Sequence, residues 1–83
     1  MRDKQFTYFS RSYNNTPSLE AWWYDEKYRD WSLELLYFKT DDKYVRQDTD
    51  EYFGMLVYPD EKGFNGVEIT DKEFHKLIGG YLI

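Results

Sequence analysis

Aromatic density is the feature that most constrains the fold of this chain. It holds 3 Trp, 9 Tyr and 6 Phe among 83 residues, but only one alanine, Ala21. Aromatic and β-branched side chains pack well on a pleated sheet, whereas helices favour alanine and long unbranched side chains. Each buried aromatic ring also removes a large apolar area from water, which offsets the entropy lost on ordering the chain. We therefore expect a folded domain built on a sheet.

Length and cysteine content narrow the class further. We expect the 83 residues to form one domain, 1–83. Cysteine is absent, and a small domain without disulfides is typical of a reducing compartment. The N-terminal residues lead into no apolar segment of a secretory signal, and no apolar run reaches the roughly 20 residues that span a bilayer. These features favour a cytoplasmic protein, located in the host cytoplasm if the source is viral.

The charge balance restricts the partners. Sixteen acidic and 11 basic residues give a formal net charge of −5. Nucleic acids and anionic membranes are bound through Lys and Arg, so direct binding to either is disfavoured. The charge favours a protein partner with a basic surface, and it leaves self-association into a homo-oligomer open.

Alternating apolar and polar residues, bounded by turn residues, predict the strands. We predict strands at 5–13, 19–25, 31–39 and 52–58, a short edge strand at 43–47, and a last strand through Val67 and Ile69. A helix over 17–28 is the alternative to the second strand, because Thr16-Pro17 is typical of a helix start. The predicted loop between the first two strands covers 14–18.

The alternation also assigns side chains to faces of the sheet. Phe6 and Tyr8 should share one face of the first strand. One face of the third strand should carry Trp31, Leu33, Leu35 and Tyr37. Gly54 indicates a bulge in the 52–58 strand, and Asn65-Gly66 indicates a tight turn before the last strand.

A capping box gives the clearest local prediction. Thr70 is followed three residues later by Glu73, then by an apolar face of Phe74, Leu77 and Ile78. Gly79-Gly80 supplies a stop, so we predict a helix over 71–78, followed by an apolar tail at 81–83 that packs back or pairs at an edge. The predicted fold class is α+β: a small, mostly antiparallel β-meander of 4–5 strands with one C-terminal helix packed on it.

No motif in the sequence predicts a cofactor or a metal site. The Asp48-x-Asp50-Glu51 pattern resembles the start of a calcium loop, but Tyr52 and Phe53 stand where a third oxygen ligand and a glycine are required. His75 is the only histidine and has no cysteine to assist it, so we expect an ordinary surface side chain. Glu34 is the one carboxylate inside an otherwise apolar strand, so a third hypothesis is a minimal carboxylate-dependent enzyme that uses Glu34 or another carboxylate.

The leading functional hypothesis is a non-enzymatic protein-interaction module. Tyr and Trp left at a surface are the anchors that interfaces favour, and acidic loops suit an inhibitor or decoy of viral or mobile-element type that blocks a basic, nucleic-acid-binding groove. The predicted partner-binding residues are Trp22, Tyr24, Asp41, Asp42, Tyr44, Asp48, Asp50 and Glu51. The alternative is a module that binds a small planar ligand or nucleotide between stacked aromatic rings.

Overall fold

The computed structural model describes residues 5–79, except for the side chain of Phe53. In chain order the elements are β1 (Phe6–Tyr13), β2 (Thr16–Asp25), β3 (Asp30–Thr40), β4 (Lys43–Arg46), a 3₁₀ helix (Thr49–Met55), β5 (Val67–Ile69) and α1 (Asp71–Leu77). The strands form an antiparallel sheet in the order β4-β3-β2-β1-β5. The predicted α+β class, an antiparallel meander with a C-terminal helix, is confirmed.

Two-residue turns close the hairpins β1–β2 and β3–β4. Asn14 and Asn15 have φ of 48° and 70°, and Asp41 and Asp42 have φ of 52° and 68°. Positive φ at both central residues gives a turn whose twist matches that of the flanking strands, and Asn and Asp tolerate this conformation best after glycine. The predicted loop at 14–18 therefore shortens to two residues, because β2 already begins at Thr16.

The stretch that the sequence left open between strand and helix is a strand. β2 pairs with β1 on one side and with β3 on the other, from Thr16 to Asp25. Consecutive bulky residues of β2 point alternately to the two faces of the sheet. In a helix the same side chains would crowd one another on adjacent turns. The alternative helix over 17–28 is wrong, and β2 is the central strand of the sheet.

Both faces of the sheet are covered, each by a different part of the chain. The helix face packs against α1, whose Phe74 is fully buried. This face contributes Phe6, Tyr8, Leu19, Ala21, Leu35, Tyr37, Tyr44 and Ile69. The opposite loop face lies under residues 47–66, and it contributes Phe9, Tyr13, Trp22, Trp31, Leu33, Leu36 and Phe38. Phe6 and Tyr8 share a face as predicted.

A β-bulge in β3 overturns the predicted face of that strand. Ala21 and Trp22 of β2 pair with Leu35 and Leu33, so Glu34 is the extra residue of the bulge. A bulge reverses the alternation beyond it. Trp31 and Leu33 therefore lie on the loop face, whereas Leu35 and Tyr37 lie on the helix face.

The predicted strand at 52–58 is also wrong. Residues Thr49–Met55 form a 3₁₀ helix, and Asp48 caps it because its carboxylate accepts a hydrogen bond from the Asp50 backbone N–H at 3.0 Å. Gly54 lies within this helix and marks no bulge. Tyr52, Leu56 and Tyr58 pack against the loop face of the sheet instead of joining its edge.

The turn before β5 lies earlier than predicted. Gly63 has φ of 96°, and the Phe64 backbone N–H donates to the carbonyl of Glu61. The left-handed conformation at Gly63 turns the chain there, and Asn65 is used differently: its side chain accepts a hydrogen bond from Arg11. The turn predicted at Asn65-Gly66 is therefore wrong, whereas the strand through Val67 and Ile69 is confirmed.

The C-terminal helix begins at the predicted cap. The Thr70 hydroxyl accepts a hydrogen bond from the Glu73 backbone N–H at 3.0 Å. Phe74 contacts the rings of Tyr8 and Tyr37, at centroid distances of 4.5 and 5.9 Å. Of the predicted apolar face, Leu77 is exposed instead of buried. The predicted tail at 81–83 lies outside the described residues.

Candidate functional site

A charged cluster is buried on the loop face between β1 and β2. Glu20 is 0% exposed and Arg11 is 8% exposed. The Glu20 carboxylate accepts hydrogen bonds from Arg11 Nη1 at 3.3 Å, from Trp22 Nε1 at 2.7 Å and from the Tyr13 hydroxyl. Burial, followed by the hydrogen bond to Glu20 and its negative charge, raises the pKa of Tyr13 well above its ordinary range.

The arginine of this cluster also holds the covering segment to the sheet. Arg11 donates to the Val57 carbonyl at 3.4 Å and to the Asn65 side-chain oxygen at 3.3 Å. Its guanidinium carbon lies 4.8 Å from the ring centroid of Tyr13 and 4.5 Å from that of Phe64. The cluster is therefore a structural site, because its charges are already paired and covered.

An open groove of about 300 Å³ lies on the same face, and it shares Trp22 with the charged cluster. Its lining is made of Trp22, Trp31, Ser32, Leu33, Glu34, Thr49, Asp50, Leu56 and Tyr58. Three aromatic residues and two carboxylates thus line one concave surface, and none of the described lining residues is Lys or Arg. This combination suits a cation, which aromatic faces and carboxylates both attract.

Local backbone structure positions the acidic side chains that line the groove. The bulge in β3 aims Glu34 at the groove, beside Leu33 of the same strand. The cap at Asp48 starts the 3₁₀ helix and sets Asp50 in its first turn, on the opposite side. Tyr58 returns across the face and contacts the ring of Trp22, at a centroid distance of 5.6 Å.

The tip of the β2–β3 hairpin, where Trp31 lies, carries further aromatic side chains. Tyr24 lies against Trp31 at a ring-centroid distance of 5.0 Å. Tyr28, in the connecting turn, is 70% exposed, and Lys27 Nζ lies 5.3 Å from its ring centroid. We name Tyr24, Tyr28 and Trp31 the tip aromatics. They present large apolar surface next to polar groups, which is the chemistry of an interface anchor.

The eight predicted partner-binding residues fall into separate places. Trp22 is 0% exposed, so the expectation of an exposed side chain there is wrong: β2 is central, and Trp22 points into the packed loop face. Tyr44 is partly buried and packs on the helix face. Tyr24 is exposed at the hairpin tip, and Asp50 lines the groove.

The predicted acidic residues do not form one surface. Asp48, Asp50 and Glu51 are exposed at the start of the 3₁₀ helix, on the groove side. Asp41 and Asp42 are exposed in the β3–β4 turn, at the other end of β3. Asp41 follows Glu34 by seven residues, which places it about 23 Å from Glu34 along the strand at roughly 3.3 Å per residue.

The two remaining ionisable candidates have different surroundings. Glu34 is partly buried in the groove lining, and its role as a catalytic carboxylate stays a prediction. His75 is partly buried instead of fully exposed: its Nδ1 lies 2.6 Å from a carboxylate oxygen of Asp71, and its ring packs against Tyr8. Within residues 5–79 no three His, Asp or Glu side chains are grouped so that they could hold a metal ion.

Comparisons with protein-family models, with curated proteins and with solved structures found no match to this chain. In the part of the chain that the structure describes, neither helix is long and apolar enough to cross a membrane.

Sequence reasoning missed Trp31 and Tyr58 as site residues. The signal for Trp31 was its place at the start of a strand, next to a charged turn.

Proposed function

We propose that this chain is a non-enzymatic protein-binding module that uses the groove and the tip aromatics to bind a basic surface of another protein. The observation that carries the proposal is the groove itself: aromatic and acidic side chains line it, and no described lining residue is basic. A nucleic-acid-binding groove is one such basic surface, and occupation of it would make this chain an inhibitor or decoy.

The distribution of charge and of aromatic surface supports this function. Tyr and Trp anchors supply most of the energy of a typical interface, whereas acidic side chains at the rim increase the rate of association with a basic partner. Tyr28 and Trp31 provide the anchors, and Asp50 and Glu51 provide the neighbouring charge. Asp41 lies too far from the groove to join this surface, so the proposal is narrower than the acidic set that the sequence predicts.

A capture experiment with two charge-matched variants tests the proposal. The purified chain is immobilised, exposed to source-cell lysate at low and high salt, and its bound proteins are identified by mass spectrometry. Asp50→Asn with Glu51→Gln removes two negative charges beside the groove, and Asp41→Asn with Asp42→Asn removes two at the distant turn. Asparagine suits the positive φ of that turn, so the control variant should fold.

Partner capture by the groove-side variant and by the distant control variant distinguishes binding at the groove from a general effect of net charge. We expect a stoichiometric partner whose capture falls strongly with the groove-side variant and with Tyr28→Ala, and much less with the control. Equal losses in both charge variants would mean that only net charge matters. A partner that keeps its affinity for the groove-side variant and for Tyr28→Ala would exclude this surface.

A small planar ligand is the second candidate, because Trp31 and Tyr58 line a groove at the lower end of the volume range of ligand sites. A thermal-shift screen of nucleotides and other planar metabolites tests it. A bound ligand should raise the melting temperature of the natural chain and have no such effect on Trp31→Ala. A flat screen would exclude this candidate.

A further inference from the structure

We propose that the groove binds the guanidinium group of an arginine side chain of the partner protein. This inference rests on the proposed function and specifies the chemical group that the groove recognises. It follows from a comparison of the groove with the buried Arg11 site on the same face of the sheet.

The Arg11 site shows how this fold surrounds a guanidinium. Aromatic rings of Tyr13 and Phe64 lie 4.8 and 4.5 Å from the guanidinium carbon. The carboxylate of Glu20 accepts from Arg11 Nη1 at 3.3 Å. Rings that offer a negative π face and a carboxylate at hydrogen-bond distance are the two elements of this site.

The groove contains the same elements on the other side of Trp22. Trp22 donates its indole N–H to Glu20 in the Arg11 site, and its ring contacts Tyr58 in the groove. Trp31 and Tyr58 supply the aromatic surface there, and Asp50 supplies an exposed carboxylate. None of the described lining residues is Lys or Arg, and Asp50 is exposed, so a cation of a partner can reach the Asp50 carboxylate from solvent.

An arginine fits this arrangement better than a lysine. The guanidinium is planar and weakly hydrated, so it can stack on an aromatic ring while it donates in its own plane to carboxylates. A lysine ammonium is more strongly hydrated and has no planar face. Since the groove is open and Asp50 is exposed, the arginine of a partner can enter from solvent without displacing a packed element.

The test uses the peptide Ac-Gly-Arg-Gly-NH₂ as the probe. It is titrated into ¹⁵N-labelled protein at about 150 mM salt, and binding is followed through the indole N–H resonance of Trp31, assigned with Trp31→Phe. The citrulline peptide is the neutral control, because it keeps the shape of arginine and loses the charge. The lysine peptide is the cationic control.

We expect a saturable shift with the arginine peptide, at a dissociation constant in the millimolar range, and at least fivefold weaker binding of the citrulline and lysine peptides. Asp50→Asn should weaken binding at least threefold. The distant variant Asp41→Asn with Asp42→Asn should change the affinity by less than twofold. The amide spectrum of each variant verifies that it is folded.

Several results would overturn the assignment. They are the absence of a saturable shift, equal binding of the citrulline or lysine peptide, and equal losses in the groove and distant variants. Failure here is distinguishable from failure of the proposed function. If the peptide does not bind but protein capture still depends on Tyr28 and Asp50, the interaction surface stands and the arginine assignment falls. If the peptide binds but no captured protein depends on Asp50, the proposed function falls instead.

Discussion

Replacement of Arg11 by methionine should destabilise the fold more than any exposed charge substitution does. Methionine keeps much of the apolar stem of arginine, so the change removes mainly the guanidinium. Of its donors in the described part of the chain, the Glu20 carboxylate, 0% exposed, then keeps the Tyr13 hydroxyl and the Trp22 indole. Removal of one partner from a buried ion pair costs about 3–5 kcal/mol, because the other charge stays buried without compensation.

This cost is large for so small a chain. A domain of this length has a free energy of unfolding of about 4–12 kcal/mol, at roughly 0.05–0.15 kcal/mol per residue. At an m-value of about 1–1.5 kcal/mol per molar urea, a loss of 3 kcal/mol lowers the unfolding midpoint by about 2–3 M. Urea denaturation followed by tryptophan fluorescence measures this shift, because Trp22 belongs to the cluster.

A second substitution identifies the buried charge as the cause. Arg11→Met with Glu20→Gln should be more stable than Arg11→Met alone by about 1–3 kcal/mol, because a neutral amide oxygen still accepts from Trp22 and no unpaired charge is left. Arg46→Met removes an exposed arginine from β4 and should change stability by less than about 0.5 kcal/mol.

Two outcomes would refute this reasoning. A cost below about 1 kcal/mol for Arg11→Met would mean that Glu20 gains solvent or another partner at little expense. Failure of Glu20→Gln to recover stability in the Arg11→Met background would assign the loss to packing and to the bonds with residues 57–65. If Arg11→Met alone does not fold, refolding of the double variant is the positive result, and its failure to refold is the negative one.

Four further predictions concern single positions. Phe74→Ala should lower the free energy of unfolding by about 3–5 kcal/mol in urea, because the ring is fully buried between α1 and the sheet; a loss below 1 kcal/mol would contradict this packing. Thr70→Ala should cost about 1 kcal/mol by the same assay through loss of the helix cap, and Thr70→Ser should restore most of it. Ser18→Ala should be neutral or stabilising by about 1 kcal/mol, because the buried Ser18 hydroxyl has no hydrogen-bond partner within residues 5–79; a clear loss would indicate one. The folded state holds the Tyr13 proton more tightly than the unfolded chain, so stability should be fully present below about pH 10 and decrease as pH rises above it; Tyr13→Phe should decrease less over that range.

Local signals predicted the parts of the fold that depend on neighbouring residues. The alternation in β1 and the capping box at Thr70 correctly predicted a strand and a helix. Both the alternation of side chains and the capping hydrogen bond involve only residues close together in the chain. The turns at Asn14 and Asp41 follow the same principle, since Asn and Asp tolerate positive φ. These signals need no knowledge of the packed structure.

Elements that depend on distant contacts could not be predicted in this way. Nothing around Glu34 marks it as a bulge, because a bulge is set by the register of β3 against β2. Residues 52–58 have the apolar content of a strand, but their partner is the loop face of the sheet rather than a neighbouring strand. An apolar run indicates burial and does not specify the element that achieves it.

The residues of the candidate site also differ in whether local sequence could predict them. Asp50 belongs to the set that the sequence predicts, because its acidic surroundings are visible in the chain order. Trp31, Glu34 and Tyr58 meet Asp50 only because the bulge and the 3₁₀ helix bring them to one face. Trp22 was selected for its aromatic ring, and its burial could not be inferred before β2 was known to be central.

One segment joins the stability of this fold to its proposed function. Residues 47–66 supply Val57, Phe64 and Asn65 to the Arg11 site, and they supply Asp50 and Tyr58 to the groove. The hydrogen bonds of Arg11 therefore hold in place the same stretch of chain that forms one wall of the groove. A short segment with little regular structure has few backbone bonds of its own to fix its position. The buried arginine supplies that constraint from the sheet, so the groove depends on an ion pair that is not part of its lining.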